Sequence, residues 1–389
     1  MFVYKFRRGD KMKISIAQEK LAHSLGIVGR AVATRSTLPI TTHILLKAEN
    51  STLELSATNL EISMKSQIPA EVTMEGSIAV PARLLIEFVN SLQPDLVTME
   101  ISSSSNQLEV SSGRVIAKLT GQNPEDFPVI PDFNDGLNLQ IPSDKLRLSI
   151  ERVAFAAATD DARPVLTGIY TSLENSTMTM AAADGFRLAV QKTELTEPLN
   201  ESVDILIPAK SLRELERILA EEENNIAITI SSSRNQIMFK LKETEIVSQL
   251  LQGTFPNYKQ LIPQENGTKS TILVSDFLRA TRTAAVFARD GNGIVRLYIS
   301  SGQSVESGTI KIAARSDEVG ENEASIDATV EGESSQIAFN SRYLVDVLNV
   351  MDEKITLETS SPSSPGTIRP QDDKDTDYLH VVMPMFVQW

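Results

Sequence analysis

Leu53 and Leu55 alternate with Glu54 and Ser56, the two-residue period of a strand with one buried face. Farther along, the period lengthens. Leu146, Ile150, Val153, Ala154 and Ala157 fall on one side of a helix, with Ser143 as its expected cap after Pro142. The same change of period opens three long stretches of the chain, at "LAHSLGIVGRAVA", "KLRLSIERVAFAAA" and "FLRATRTAAVFA". Each helix follows a strand and precedes three strands, a second helix and three more strands separated by Ser/Asn turns.

The second helices carry the clearest repeat. "SIAVPARLLIEFVNSL" (77–92), "DILIPAKSLRELERIL" (204–219) and "QIAFNSRYLVDVLNVM" (336–351) each read as a short strand running into a helix. Arg83, Lys210 and Arg342 therefore recur at spacings of 127 and 132 residues, the size of a domain. "ISSSSNQLEV" from Ile101 and "ISSSRNQIMF" from Ile230 keep that spacing, as do "NPEDFPVIP" (123–131) and "GTFPNYKQLIP" (253–263). The pattern predicts an N-terminal extension over 1–11, ahead of Met12, and repeats over 12–133, 139–263 and 268–389. Linkers rich in Asn, Gly and Asp join them near 132–139 and 264–270. The expected class is α+β, with three repeated domains, each of two helices and antiparallel sheets.

Composition narrows the chemistry. At 389 residues the chain is too long for one core. It has no cysteine, which excludes disulfides and thiolate metal sites and permits a reducing compartment. No apolar run approaches the ~18 residues of a membrane span, and "MFVYKFRRGDK" is not followed by the apolar stretch of a secretory signal. A cytoplasmic location without membrane contact is expected. The histidines, His23, His43 and His380, lack metal-ligand spacing, and no nucleophile elbow or phosphate-binding glycine loop occurs. No metal or cofactor is therefore expected. The pairs Asp160–Asp161 and Asp372–Asp373 are the remaining candidates for hydrolase chemistry. Adjacent carboxylates on a strand face opposite ways, so they read as solvated turns.

What is left is a scaffold that binds. Net charge −14 argues against nucleic acid at first sight. Yet the first helix of each repeat carries one net positive charge. The charged residues are Glu19, Lys20 and Arg30; then Asp144, Lys145, Arg147, Glu151 and Arg152; then Asp276, Arg279, Arg282, Arg289 and Asp290. Arg279, Arg282 and Arg289 share a helical face. The solvated faces of amphipathic helices would carry such charges too. A processivity clamp and a repeat-built structural or adhesion protein are both compatible with these features.

Seven segments add specificity: "RSTLPITTHILL" (35–46), "VPARLL" (80–85), "AADGFRLAV" (182–190), "FPNYKQLIP" (255–263), "GIVRLYIS" (293–300), "FNSRYLVDVL" (339–348) and "YLHVVMPM" (378–385). With them the chain, from Met12 to its end, closely resembles the bacterial DNA polymerase III beta subunit, the sliding clamp. The resemblance implies a head-to-tail homodimeric ring that encircles duplex DNA without reading sequence. It implies no catalytic site, only processivity for the polymerase. Implied partners are the polymerase III catalytic subunit, the clamp loader and repair proteins carrying a short hydrophobic clamp-binding peptide.

The resemblance also implies sites. Its duplex-facing positions correspond to Arg35, Arg83 and Lys210, with Arg342 added by repeat equivalence. The charge pattern adds Lys145, Arg147, Arg152, Arg279 and Arg282. The implied peptide pocket comprises Leu166, Ala183, Gly185, Phe186, Arg187, Leu188, Pro256, Gln260, Leu261, Asn340, Tyr343, Val381, Val382, Met383, Pro384 and Met385. Methionine suits a pocket serving several ligands, because its side chain is adaptable and polarizable. Leu119, Val286 and Phe287 are the implied dimer contacts. Two departures from the family pattern bear on partner choice: the tail ends in "FVQW" where a basic residue and leucine are common, and Phe186 stands where histidine is common.

Overall fold

The computed structural model describes residues 11–35, 37–101, 106–133, 135–160, 162–199, 201–263, 267–289, 292–302, 307–316, 320–371 and 377–389. Residues 1–10 of the expected extension, the serines at 102–105, Asp161, Asp290, the Asp372–Asp373 pair and linker positions 134 and 264–266 lie outside that set.

The same element order runs three times, except that the first pass has one extra strand (Glu71–Met74). Four or five strands, not the expected three, separate the two helices of each pass. The first pass is β1 (Lys13–Ala17), α1 (Gln18–Val28), β2 (His43–Glu49), β3 (Thr52–Thr58), β4 (Ile62–Pro69), β5 (Glu71–Met74) and β6 (Gly76–Pro81), then α2 (Ala82–Ser91), β7 (Leu96–Ile101), β8 (Gln107–Ser112) and β9 (Val115–Thr120). The second is β10 (Gly136–Pro142), α3 (Ser143–Ala154), β11 (Gly168–Glu174), β12 (Thr177–Ala183), β13 (Arg187–Glu194) and β14 (Val203–Pro208), then α4 (Ala209–Leu219), β15 (Asn225–Ser231), β16 (Gln236–Lys240) and β17 (Thr244–Gln249). The third is β18 (Thr268–Leu273), α5 (Val274–Ala288), β19 (Ile294–Ser300), β20 (Gly308–Ser316), β21 (Gly320–Gly332) and β22 (Ser335–Asn340), then α6 (Ser341–Leu348), β23 (Lys354–Thr359), β24 (Gly366–Pro370) and β25 (Asp377–Val382).

Local chemistry explains the elements. In β3, Leu53, Leu55 and Ala57 turn into the core, as the alternation requires. Ser56 is buried as well, flanked by Leu45 and Lys65 of the neighbouring strands. The β2–β3 hairpin turns on Asn50 and Ser51, both at positive φ (50° and 60°), which matches the right-handed twist of the paired strands. On α3 the apolar side anticipated from spacing is buried throughout. Ser143 departs from expectation: it is the first helical residue, and its hydroxyl donates to the Glu222 carbonyl (2.7 Å) instead of capping α3.

Three antiparallel sheets result, ordered β5-β1-β7-β8-β9, β10-β15-β16-β17-β4-β3-β2-β6, and β14-β11-β12-β13-β25-β24-β23-β18-β21-β20-β19-β22. The chain forms two compact units, 1–144 with 217–250 and 145–216 with 251–389, and each sheet lies inside one of them. The middle repeat is thus shared. Its β15–β17 strands continue into the first repeat through a β17–β4 ladder, and its β11–β14 strands continue into the third through a β13–β25 ladder. Each ladder removes two open edges that would otherwise invite association. Among the described residues, the equivalent edges that stay open are β9, paired on one side by β8, and residues 320–327 of β21, paired on one side by β20.

Candidate partner-binding site

Arg187, at the start of β13, organises the site. Its guanidinium donates to Asp184 Oδ2 (3.0 Å), Asp346 Oδ2 (2.6 Å) and the Phe155 carbonyl (2.8 Å), and lies over the Tyr343 ring, 4.7 Å from the centroid. Only 7% of the side chain is exposed, so these contacts act at low dielectric. The preceding turn is held by Asp184, whose Oδ1 accepts from the amides of Phe186 (2.9 Å) and Arg187 (3.1 Å). Gly185 completes the turn at φ +92°, a backbone region that favours glycine. The turn lifts Phe186 out of the sheet, where it stays half exposed and stacks on Tyr343 at 6.2 Å and 20°. Burial raises the Tyr343 phenol above its ordinary value and Asp184 adds to the shift, so the ring presents a neutral hydroxyl at physiological pH.

The floor of the site is aliphatic. Leu188 pairs with Val381 across the β13–β25 ladder and with Ala183 across β12–β13, in one buried cluster with Tyr258 and Leu379. Tyr258 ties its own loop to that cluster and so brings exposed Pro256, Gln260 and Leu261 alongside. At the chain's end, Met383 donates its amide to the Phe186 carbonyl (2.8 Å). An aliphatic floor, an aromatic shelf and flexible thioether walls suit a short apolar peptide segment. Leu166 and Val382 are buried beneath this surface. Asn340 serves locally: its Oδ1 caps α6 by accepting from the Arg342 amide (2.9 Å).

Asp184, Asp346, Phe155 and Arg163 belong to the site without having been anticipated from sequence. Arg163 donates to the Asp184 carbonyl (2.8 Å), and a Cβ on Gly185 would lie 2.7 Å from its Nη1. The one available signal was Asp346, a helical turn beyond Tyr343 on α6.

The cationic candidates divide. Arg35, Arg83, Lys145, Arg147, Lys210, Arg279, Arg282 and Arg342 are exposed. Arg83, Lys210 and Arg342 each occupy the second position of α2, α4 and α6. Arg152 is a correction: it is 2% exposed, with its guanidinium 5.5 Å from the Tyr378 ring centroid and 3.5 Å from Gln191 Oε1. Its side of α3 packs on β13, so it is unavailable to a phosphate. Leu119 is also corrected. It points into its own sheet at 1% exposure, whereas Val115 and Ile116 of the same strand are 50% and 61% exposed. Val286 is exposed and Phe287 half-buried on α5. Asp160 accepts from the Ala162 amide (3.1 Å), as a turn residue does.

His380 lies at the centre of this unit, fully buried between Ala189 and Ile368, with its ring 5.4 Å from Phe155. Burial, reinforced by the Arg187 charge, lowers its pKa from 6.5 to about 3. The unfolded chain therefore binds the extra proton first. The stability held by the neutral ring is complete above pH 6.5 and declines as pH falls toward about 3, by at most about 1.4 kcal/mol per pH unit. His380→Leu is expected to flatten that decline. Urea midpoints at neutral and mildly acid pH check it, and an equal decline in both proteins would place the acid sensitivity elsewhere.

Comparison with known proteins fits this construction. The chain matches, in order, the family models for the DNA polymerase III beta subunit N-terminal domain (12–131), central domain (140–257) and C-terminal domain (259–386). The chain belongs to the DNA polymerase III beta subunit family. Relatives in that family include the beta sliding clamp of Bacillus subtilis, 33% identical over 386 residues that cover 96% of this chain and 99% of the relative. The beta sliding clamp of Staphylococcus aureus is 30% identical over 379 residues, covering 95% and 98%. Among solved structures, the Bacillus subtilis sliding clamp matches with a TM-score of 0.89 at 31% identity, covering 97% of this chain and all (100%) of that one. A Pseudomonas aeruginosa sliding clamp bound to griselimycin matches at 0.88 and 29%, with the same coverage. Membership makes this chain a sliding clamp of three clamp domains, a processivity factor without a catalytic site of its own. Among the described residues no helix is long and apolar enough to cross a membrane.

Proposed function

We propose that two copies of this chain close head to tail into a ring around duplex DNA. The ring tethers the polymerase III catalytic subunit, the clamp loader and repair proteins through peptides seated at the Arg187 site. It works in the bacterial cytoplasm, where the chromosome lies. Its repeats run over 12–133, 139–263 and 268–389. The observation that carries this reading is the pair of open edges. The first repeat's β4 is matched by β17, and the second repeat's β13 is matched by β25. In the third repeat's equivalent, β21, residues 320–327 pair only with β20 among the described residues, and β9, the equivalent of β17 and β25, pairs only with β8. Joining β21 of one copy to β9 of another supplies the missing ladder and closes the dimer with the same kind of junction that joins the repeats within the chain. Negative-stain images are expected to show a closed ring of six similar lobes. Elongated three-lobed particles at every concentration would remove the clamp reading and favour a repeat-built structural protein.

The cations on the helices supply the duplex contact. Exposed Lys145, Arg147, Arg279 and Arg282 sit on first helices, and Arg83, Lys210 and Arg342 start second helices, with Arg35 in the loop after α1. Few, exposed charges inside an acidic protein suit a ring that holds phosphates loosely and slides. Arg279 is 2.8 Å from Asp276 and Arg282 is 2.6 Å from Asn349, exposed contacts that a phosphate can replace at little cost. Arg279→Glu with Arg282→Glu is expected to weaken duplex binding about tenfold or more and to shrink its salt dependence by about two phosphate contacts. Anisotropy titrations over a salt series check this, and unchanged slopes would return both residues to the solvated helix surface.

A further inference from the structure

We propose that Trp389 is a positioning residue that latches the C-terminal tail and thereby holds one wall of the partner-binding site, an inference that rests on the peptide-binding reading of that site. After β25 the chain leaves the sheet and is caught at successive points. The Met383 amide donates to the Phe186 carbonyl (2.8 Å), and the Met385 amide donates to the Ala338 carbonyl on β22 (2.7 Å). Trp389 then sets its ring edge-on against Tyr298 of β19, with centroids 5.6 Å apart and planes at 80°. Tyr298 faces Lys311 across the β19–β20 ladder, and the Lys311 ammonium lies 4.8 Å from the Tyr298 centroid. Trp389 thus rests on a built seat, an aromatic ring fixed from one side by a cation.

A segment that has left its sheet is poorly ordered unless tied down, and loosening at Trp389 would reach the Met385 hydrogen bond within a few residues. With Trp389 seated, the segment bearing Met383, Pro384 and Met385 is tied at both ends. Phe386 shows that the tail is strapped and not simply packed: it lies between the two anchors yet is 88% exposed. The order of the wall therefore depends on a contact far along the tail, made to strands that do not form the pocket floor. Pre-ordering the wall lowers what a peptide must order on binding and lengthens its stay.

The test uses the full-length protein and a fluorescein-labelled short peptide of leucine and phenylalanine flanked by polar residues. Trp389 is the chain's single tryptophan, so its emission reports the seat directly. Trp389→Ala is expected to weaken peptide binding about fivefold, mostly through faster dissociation, at an unchanged midpoint of thermal unfolding. Trp389→Phe, which can still seat edge-on, restores most of the affinity. Tyr298→Ala shifts the tryptophan emission to the red and reproduces the loss, and the double alanine variant is no worse than either single one. Unchanged affinity in Trp389→Ala, or losses that add independently, would overturn the latch while leaving the pocket intact. Failure of the unmodified protein to bind the peptide would remove the pocket reading, and the latch with it.

Discussion

Arg187→Ala is expected to cost about 3–5 kcal/mol of stability and to weaken partner-peptide binding on the order of a hundredfold. The size follows from what is left behind. Asp184 and Asp346, 16% and 27% exposed, would lose the charge that faces both of them, and the Phe155 carbonyl would lose its donor. The Tyr343 ring would lose the guanidinium packed on its face, and the shelf it forms with Phe186 would lose its support. Arg187→Lys keeps the charge but cannot fork between two carboxylates, so it is expected to recover little of the affinity. Asp346→Asn separates folding from binding: it keeps a hydrogen-bond acceptor for the Arg187 fork while removing one charge. Peptide titrations beside urea unfolding of all three variants check this. Normal peptide affinity in a folded Arg187→Ala protein would mean that partners seat elsewhere.

Much of this arrangement was legible along the chain. Period alone places Leu53 and Leu55 in the core and gathers Leu146, Ile150 and Val153 on the inner side of α3, because burial is set by which face meets the sheet. Repeat spacing places Arg83, Lys210 and Arg342 at the same helical position three times. What stayed hidden depends on contacts across long separations. Arg187 meets Asp346 across 159 residues, a pairing no local pattern records. Arg152 counts as a surface cation until α3 is laid on the sheet, where Gln191 of β13 and Tyr378 of β25 receive its guanidinium. Leu119 and Ile116 differ only in strand parity. Which of them faces outward follows from the β8–β9 register, where Leu119 sits opposite buried Leu108.

Parity also yields the second large effect. Val115→Asp is expected to convert the dimer to monomers, with dissociation constants raised on the order of a thousandfold. The register comes from the internal junctions. Ser66 meets Thr244 in one and Gln191 meets Tyr378 in the other. Ser66, Gln191 and Ala324 are equivalent through their partners Leu55, Met180 and Ile312. Val115 is equivalent to Thr244, since β9 pairs Gln107 with Thr120 as β17 pairs Gln236 with Gln249. Ala324 of one copy should therefore face Val115 of the next, Asn322 should face Ala117, and Glu321 should face Lys118. Val115 shares the inward face with Leu119, so an aspartate there would bury an unpaired charge at each of the two junctions, at about 2 kcal/mol apiece. Lys118→Glu tests the register itself. It sets like charges opposite each other and should weaken the dimer about tenfold, and Glu321→Lys in the same chain should restore it. Sedimentation equilibrium over a dilution series reads all three variants. A dimer that survives Val115→Asp would place the contact away from β9, and a Lys118→Glu defect that Glu321→Lys leaves uncorrected would shift the register.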